Sequence, residues 1–315
     1  MKILLYLVVV MVFGLVMVTN VKSEEVVWAQ LVIPARAELG EGSIWDNQRK
    51  LLYWIDIDGR QFYVYNPSVG SNSNFKLNEI PGTVVPRLNA QPGEVVIALQ
   101  SGIYSYNYIT QEKYQLAKPE TVSTNRMNDG KCDPRGRFWV GSMSLKNGQP
   151  REASLYRIDS NKASQRVLSN VGISNGVTWS LDGRVMYYID TSDMGVDRFD
   201  YDVNSGSATN RRRVITFTGQ FGFPDGMTID SEGKLWIAHY DGSRVTRWDP
   251  NNGQLLLTVM VPVRKVTSVA FGGDDLSTLY ITTARAGEEA KGGGGLFQVK
   301  FNGRFKGVDS YSFAG

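Results

Sequence analysis

From residue 26 onward, apolar and polar positions alternate over short runs. No stretch of useful length keeps the 3.6-residue period of an amphipathic helix. One run covers 26–33, with Val27, Ala29, Leu31 and Ile33 on one face. Others fall at 51–55 and 61–65, at 95–99 and 102–106, at 152–158 and 167–171, and at 196–201 and 213–218. The last are 245–249 and 255–261, then 278–283, 295–301 and 308–313. Tight-turn residues such as Asp58-Gly59 and Gln100-Ser101-Gly102 stand between them, so the pattern predicts strands joined by hairpins. The predicted fold class is all-β.

One stretch, 128–139, shows how the strands are grouped. Small polar residues (Asn128, Asp129, Gly130) lead to a turn at Asp133-Pro134-Arg135-Gly136 and then to the apolar Phe138-Trp139-Val140. Pro presets φ in such a turn, and Gly accepts its unusual backbone angle. The same plan returns at 175–190, 225–239 and 41–56, and more loosely at 87–100 and 267–282. The units recur roughly every 40 to 50 residues, the period of a propeller blade. A blade buries both faces only when its neighbours stack on it, so six such units predict one six-bladed β-propeller. The 26–33 strand is predicted to complete the C-terminal blade and close the ring.

Composition changes this picture little. Hydrophobic residues make up 42% and charged residues 21%, as in ordinary globular proteins. A net charge of +3 gives no reason to expect nucleic acid as a partner. The one basic run, Arg211-Arg212-Arg213, falls in a predicted solvated loop. Residues 1–23 read as a signal peptide: Lys2, an apolar run over 3–18, then Val21 and Ser23 at −3 and −1 of a cut before Glu24. A secreted protein is expected, with 24–315 as one propeller domain that makes no membrane contact once the leader is gone. A retained anchor is the alternative. Cys132 is the sole cysteine, so no disulfide forms within the chain, and stability must come from packing and ring closure.

Repeated units share a plan, and function shows where equivalent positions differ. At the starts of the inner strands, around one mouth of the central channel, the units offer Glu41, a nearby Arg87, Asn128, Asn175, Asp225 and Thr267. Glu, Asp and Asn converging without His or Cys suit a hard cation, most naturally Ca²⁺. Alternatively, these side chains only satisfy turn backbones. His239, the sole histidine, reads as a neutral packed residue beside the channel, with a catalytic base as the alternative. Tyr240 is placed within reach of the pocket. Cys132 reads as a small core residue, and Trp45, Trp139, Trp179 and Trp236 as inter-blade packing.

The chain resembles the regucalcin (senescence marker protein), gluconolactonase and luciferin-regenerating enzyme family. The resemblance rests on 40–45 (Gly-Glu-Gly-Ser-Ile-Trp), 125–131 (Asn-Arg-Met-Asn-Asp-Gly-Lys) and 173–180 (Ile-Ser-Asn-Gly-Val-Thr-Trp-Ser). It continues through 187–190, 196–202, 224–227, 266–273 and the ending 311–315, and spans about residue 30 to the C-terminus. It implies a propeller with one divalent cation at the channel mouth, Ca²⁺ first, with Zn²⁺, Mn²⁺ or Mg²⁺ as alternatives. The implied metal ligands are Glu41, Asn175 and Asp225, and the implied substrate contacts are Arg126 and Asn128. The implied reaction is hydrolysis of a sugar lactone such as gluconolactone, with Asp225 positioning or deprotonating the attacking water. The partner is then a small lactone or ester. Two other readings stay open: a non-catalytic Ca²⁺- or small-ligand-binding propeller, and a luciferin-regenerating type of enzyme. The leader points to a secreted, insect-like member. The chain departs from the pattern after Gly141-Ser142-Met143, where Lys146 falls near the position that an acidic residue contacting sugar hydroxyls takes in animal lactonases of the family.

Overall fold

The computed structural model describes the backbone of residues 10–12 and 15–17, and all of residues 26–285 and 292–315. Val10–Val12 and Leu15–Met17 pair antiparallel; the rest of the predicted signal peptide lies outside the described residues. From Gly40 onward the strands form six antiparallel sheets, each ordered from channel to rim as the chain runs. Their inner strands are Gly40–Asp46, Pro81–Pro86, Asn125–Cys132, Ser174–Trp179, Phe223–Ile229 and Val266–Gly272. Each inner strand packs against the next, and the sixth returns to the first, so the ring is complete. This is the six-bladed propeller that the repeat predicts.

Ring closure follows the expected principle with a different split. The 26–33 run breaks at Ala29, whose amide donates to the Met260 carbonyl. Val26–Trp28 adds a fifth, parallel strand to blade five, beside Gln254–Met260. Gln30–Ile33 then completes blade six against Leu296–Lys300. The first and last parts of the chain thus share a sheet. Two further expectations are corrected. Residues 211–213 lie within the outer strand Ser207–Thr216, not in a loop, and their guanidinium groups face Asp193, Asp197 and Asp200. Residues 308–313 form no strand. They belong to a strap across the mouth opposite Glu41, bridging Asp230 to Gly307 and Arg87 to Phe313. The alternation there has no neighbouring strand to pair with, apart from that one bridge.

The repeated turn aspartates hold the blades from within. Asp133 is fully buried and accepts from Arg137, Tyr201 and the Trp139 indole, as well as from the backbone amides of Arg135 and Arg137. Asp230 repeats the device with Arg247, Trp236 and the amides of Glu232 and Lys234. The tryptophans pack between blades as expected. Trp45 stacks on Tyr280, Trp139 meets Trp179 edge-on, and Trp236 meets Phe271 at 90°. Aromatic pairs of this kind contribute roughly 0.5–1.5 kcal/mol each beyond the area they bury. Cys132 is buried in the core that joins the first three blades.

Candidate functional site

Each inner strand breaks register where the site residues stand. The ladder skips two residues after Glu41, Met127, Ser174, Pro224 and Val266, and one after Pro81. A bulge sharpens the local twist and re-aims the side chains it displaces. Asn128, Asn175 and Asp225 are the first displaced residues of their strands, and Glu41 immediately precedes the bulge of the first. The residues that follow let the strands crowd together. A Cβ on Gly176 would lie 2.5 Å from the Met227 Cβ, and one on Gly226 would lie 2.8 Å from the Ser268 Cα. Glycine at both positions brings neighbouring bulges into contact, and with them the polar side chains.

Glu41, Arg126, Asn128, Asn175 and Asp225 line one cavity of about 330 Å³ at this mouth, and all five are buried. The structure therefore brings together every site residue carried by the resemblance. It does not place Arg87 with them. The second inner strand enters the mouth as Pro81-Gly82-Thr83, while Arg87 follows its far end and donates to the Gly315 carbonyl at 2.9 Å. Thr267 is buried and bonded to Gly40 and Thr282, outside the cavity lining.

A chain of hydrogen bonds fixes the amides. Arg126 Nη1 donates to Asn128 Oδ1 at 2.6 Å, and Asn128 Nδ2 donates to Asn175 Oδ1 at 3.0 Å and the Ser174 carbonyl at 2.7 Å. Asn175 Nδ2 donates to Thr191 Oγ1 at 2.7 Å, and Thr191 donates onward to the Pro224 carbonyl. With its NH₂ turned to Thr191, Asn175 presents its carbonyl oxygen on the other side. Thr191, which sequence reasoning missed, thus sets the polarity of a site amide.

The carboxylates are held under strong electrostatic tension. Burial first, then the Asp129 charge, pushes the Glu41 carboxyl up to about 8. Burial, then Glu41 and Asp129, raises Asp225 well above the carboxylate range, and the two side chains are close enough to hydrogen-bond. Burial likewise raises Asp129, opposed by Lys131. Arg126 offsets some of this negative charge while being desolvated itself, and it also feels Asp58 from the rim. Two buried carboxyls that burial and mutual repulsion push toward their neutral forms, beside an amide oxygen of fixed polarity, fit a hard divalent cation, which would offset that repulsion. Among the described residues no group of three His, Cys, Asp or Glu is arranged for a metal, so the donor set here is two carboxylates and an amide oxygen.

His239 is fully buried against Phe217 and Phe221, bonds Thr246 through Nε2 at 2.6 Å, and does not line the cavity. Burial lowers it to about 3, the neutral packed state expected. Tyr240 does line the cavity, and burial together with nearby carboxylates pushes it up to about 12. Lys146 reaches away to Glu152 Oε2 at 2.9 Å, while Gln149 of the same loop lines the cavity.

Fold and site together define a six-bladed propeller with a buried, oxygen-rich centre at one channel mouth. The chain belongs to the SMP-30/gluconolactonase/LRE-like family, whose model matches residues 39–285. It is 37% identical to regucalcin of Danio rerio over 294 residues, covering 91% of this chain and 98% of that protein. It is 36% identical over 279 residues to YvrE of Bacillus subtilis, named for a sugar lactone lactonase activity, covering 86% and 94%. A solved luciferin-regenerating enzyme superposes with a TM-score of 0.83 at 33% identity, covering 88% of this chain and 95% of that one.

Proposed function

We propose that the protein is a secreted, divalent-metal-dependent lactone hydrolase, with sugar lactones as the reference substrates. The observation that carries this reading is the convergence of Glu41, Asn175 and Asp225 beside Arg126 and Asn128 in one buried cavity. Bound by Glu41, Asn175 and Asp225, a hard cation (Ca²⁺ first, or Zn²⁺, Mn²⁺ or Mg²⁺) would supply Lewis-acid polarisation of the lactone carbonyl. Asp225 is the residue to orient the attacking water and take its proton, which passes to the ring oxygen as the ring C–O bond breaks and a hydroxy acid forms. Arg126 is a fixed charged donor and Asn128 both donor and acceptor, so they suit the lactone's ring oxygen and hydroxyls. Hydrolysis of D-glucono-δ-lactone with added cation, against the chelated chain, tests the reading. The likeness to regucalcin supports a second reading, in which the same centre binds the cation without turnover.

Cation binding should displace the protons that burial favours on Glu41 and Asp225. Glu41 is pushed up to about 8 and Asp225 is raised as well, so affinity is expected to rise with pH through the neutral range, with proton release on binding. Calorimetry in two buffers of different ionisation enthalpy reads this directly. The metal-free fold should show the opposite slope. A carboxyl raised from 4.5 to about 8 binds more protons folded than unfolded, so stability falls as pH rises across that interval. His239→Gln is expected to leave the pH profile of hydrolysis unchanged near neutrality, because the imidazole lies outside the cavity and stays neutral there. A lost limb near pH 6–7 in that variant would return His239 to the mechanism.

A further inference from the structure

The cavity combines a polar centre with a largely apolar surround. Leu39, Ile57, Met143, Ile173, Phe223 and Tyr240 surround the polar centre. Two of them form a deliberate pair. Phe223 is the first residue of its inner strand and sits directly opposite Tyr240 on the next strand, so both side chains project from the same face. Phe223 is nonetheless 48% exposed, a large aromatic ring left half in water at the cavity mouth. Nothing in the blade's own core needs it there, since that core is built from Met227, Ile229, Leu235 and Ile237.

Beyond Arg126 and Asn128 at the polar centre and the Tyr240 hydroxyl, few groups remain to bond sugar hydroxyls. Lys146 is drawn off to Glu152, and Thr191 is occupied by Asn175 and Pro224. Gln149 is the polar side chain that the loop adds to the wall. A ring bearing a hydroxyl on nearly every carbon would strip those hydroxyls of water against apolar walls, with few bonds in return. A ring bearing an alkyl chain would cover the exposed face of Phe223 instead.

We propose that the site takes lactones carrying an apolar alkyl or aryl substituent, with the lactone group over the polar centre and the substituent against Phe223, Tyr240 and Met143. The substrate class rests on the hydrolase reading, but the apolar wall can be tested apart from it. Each methylene buried there is worth about a fourfold gain in binding or kcat/KM.

The Ca²⁺-loaded chain is assayed on δ-decalactone, δ-valerolactone and D-glucono-δ-lactone, beside Phe223→Ala and Phe223→Leu. The expected result is a kcat/KM for δ-decalactone at least tenfold above the other two. That preference should fall about tenfold in Phe223→Ala and be largely restored in Phe223→Leu. Calorimetry with the pentyl-substituted δ-lactam, which resists hydrolysis, reads the wall without turnover. If no lactone is hydrolysed, yet the lactam binds and Phe223→Ala weakens it about tenfold, the apolar wall stands and the hydrolase reading falls. A gluconolactone preference, a preference indifferent to Phe223, or no lactam binding together with no turnover would overturn the proposal.

Discussion

Asp225→Ala is expected to abolish lactone hydrolysis, lowering kcat by about 10³-fold or more, and to make the metal-free chain more stable at neutral pH. Both effects come from one carboxylate. As cation ligand and proton acceptor, Asp225 carries two functions, and loss of a general base alone typically costs about 10²–10⁴-fold. In the metal-free fold the same group is a burden: it is desolvated beside Glu41 and Asp129, so neutral pH favours the unfolded state, where it ionises freely. Asp225→Asn should reproduce both effects with less change in shape. The measurements are kcat with saturating cation, and the urea midpoint in chelator. A variant that loses activity and stability together would point instead to a structural role for Asp225.

Asp133→Ala is expected to destabilise the chain by about 3–5 kcal/mol while leaving the residual folded protein active. The substitution removes the counter-charge of the buried Arg137 guanidinium, leaving it only neutral partners at Val203, Asn204 and Tyr201, and deprives the Trp139 indole and the Tyr201 hydroxyl of their common acceptor. Removing one partner of a buried, hydrogen-bonded pair exposes the full desolvation cost of the other, well beyond the worth of the pair itself. The turn also loses the acceptor for two of its amides. Urea unfolding measures the loss, and Asp230→Ala provides an independent copy of the experiment in another blade. A change under about 1 kcal/mol at both positions would show that the turn aspartates are not what holds the blades.

The propeller was legible because its units are local. Strand alternation and the Asp-Pro-Arg-Gly type of turn depend on neighbours a few residues away, and six copies reinforce one another. The mouth was legible only where a polar side chain marks it. In the second blade the bulge reads Pro81-Gly82-Thr83, with no acidic or amide side chain to mark it, and the next conspicuous side chain, Arg87, stands at the other end of the strand. Glycine stands in the bulge of four inner strands, at Gly42, Gly82, Gly176 and Gly226, but glycine also fills the ordinary turns, so composition alone does not locate a break in a hydrogen-bond ladder. Thr191 just past the strand that ends at Asp190, Gln149 from a loop and Phe223 at the start of the strand that carries Asp225 all reach the cavity, and their roles exist only once the ring has closed. Residues 308–313 show the converse: alternation without a partner strand gives a strap.

Hydrolysis of D-glucono-δ-lactone and δ-decalactone by the purified chain, first in chelator and then with Ca²⁺, Zn²⁺, Mn²⁺ or Mg²⁺ restored, tests the central claim most directly. The account predicts turnover that disappears in chelator and returns with the cation for at least one of the two lactones. Hydrolysis that resists chelation, or a tightly bound cation with no turnover of either lactone, would contradict it.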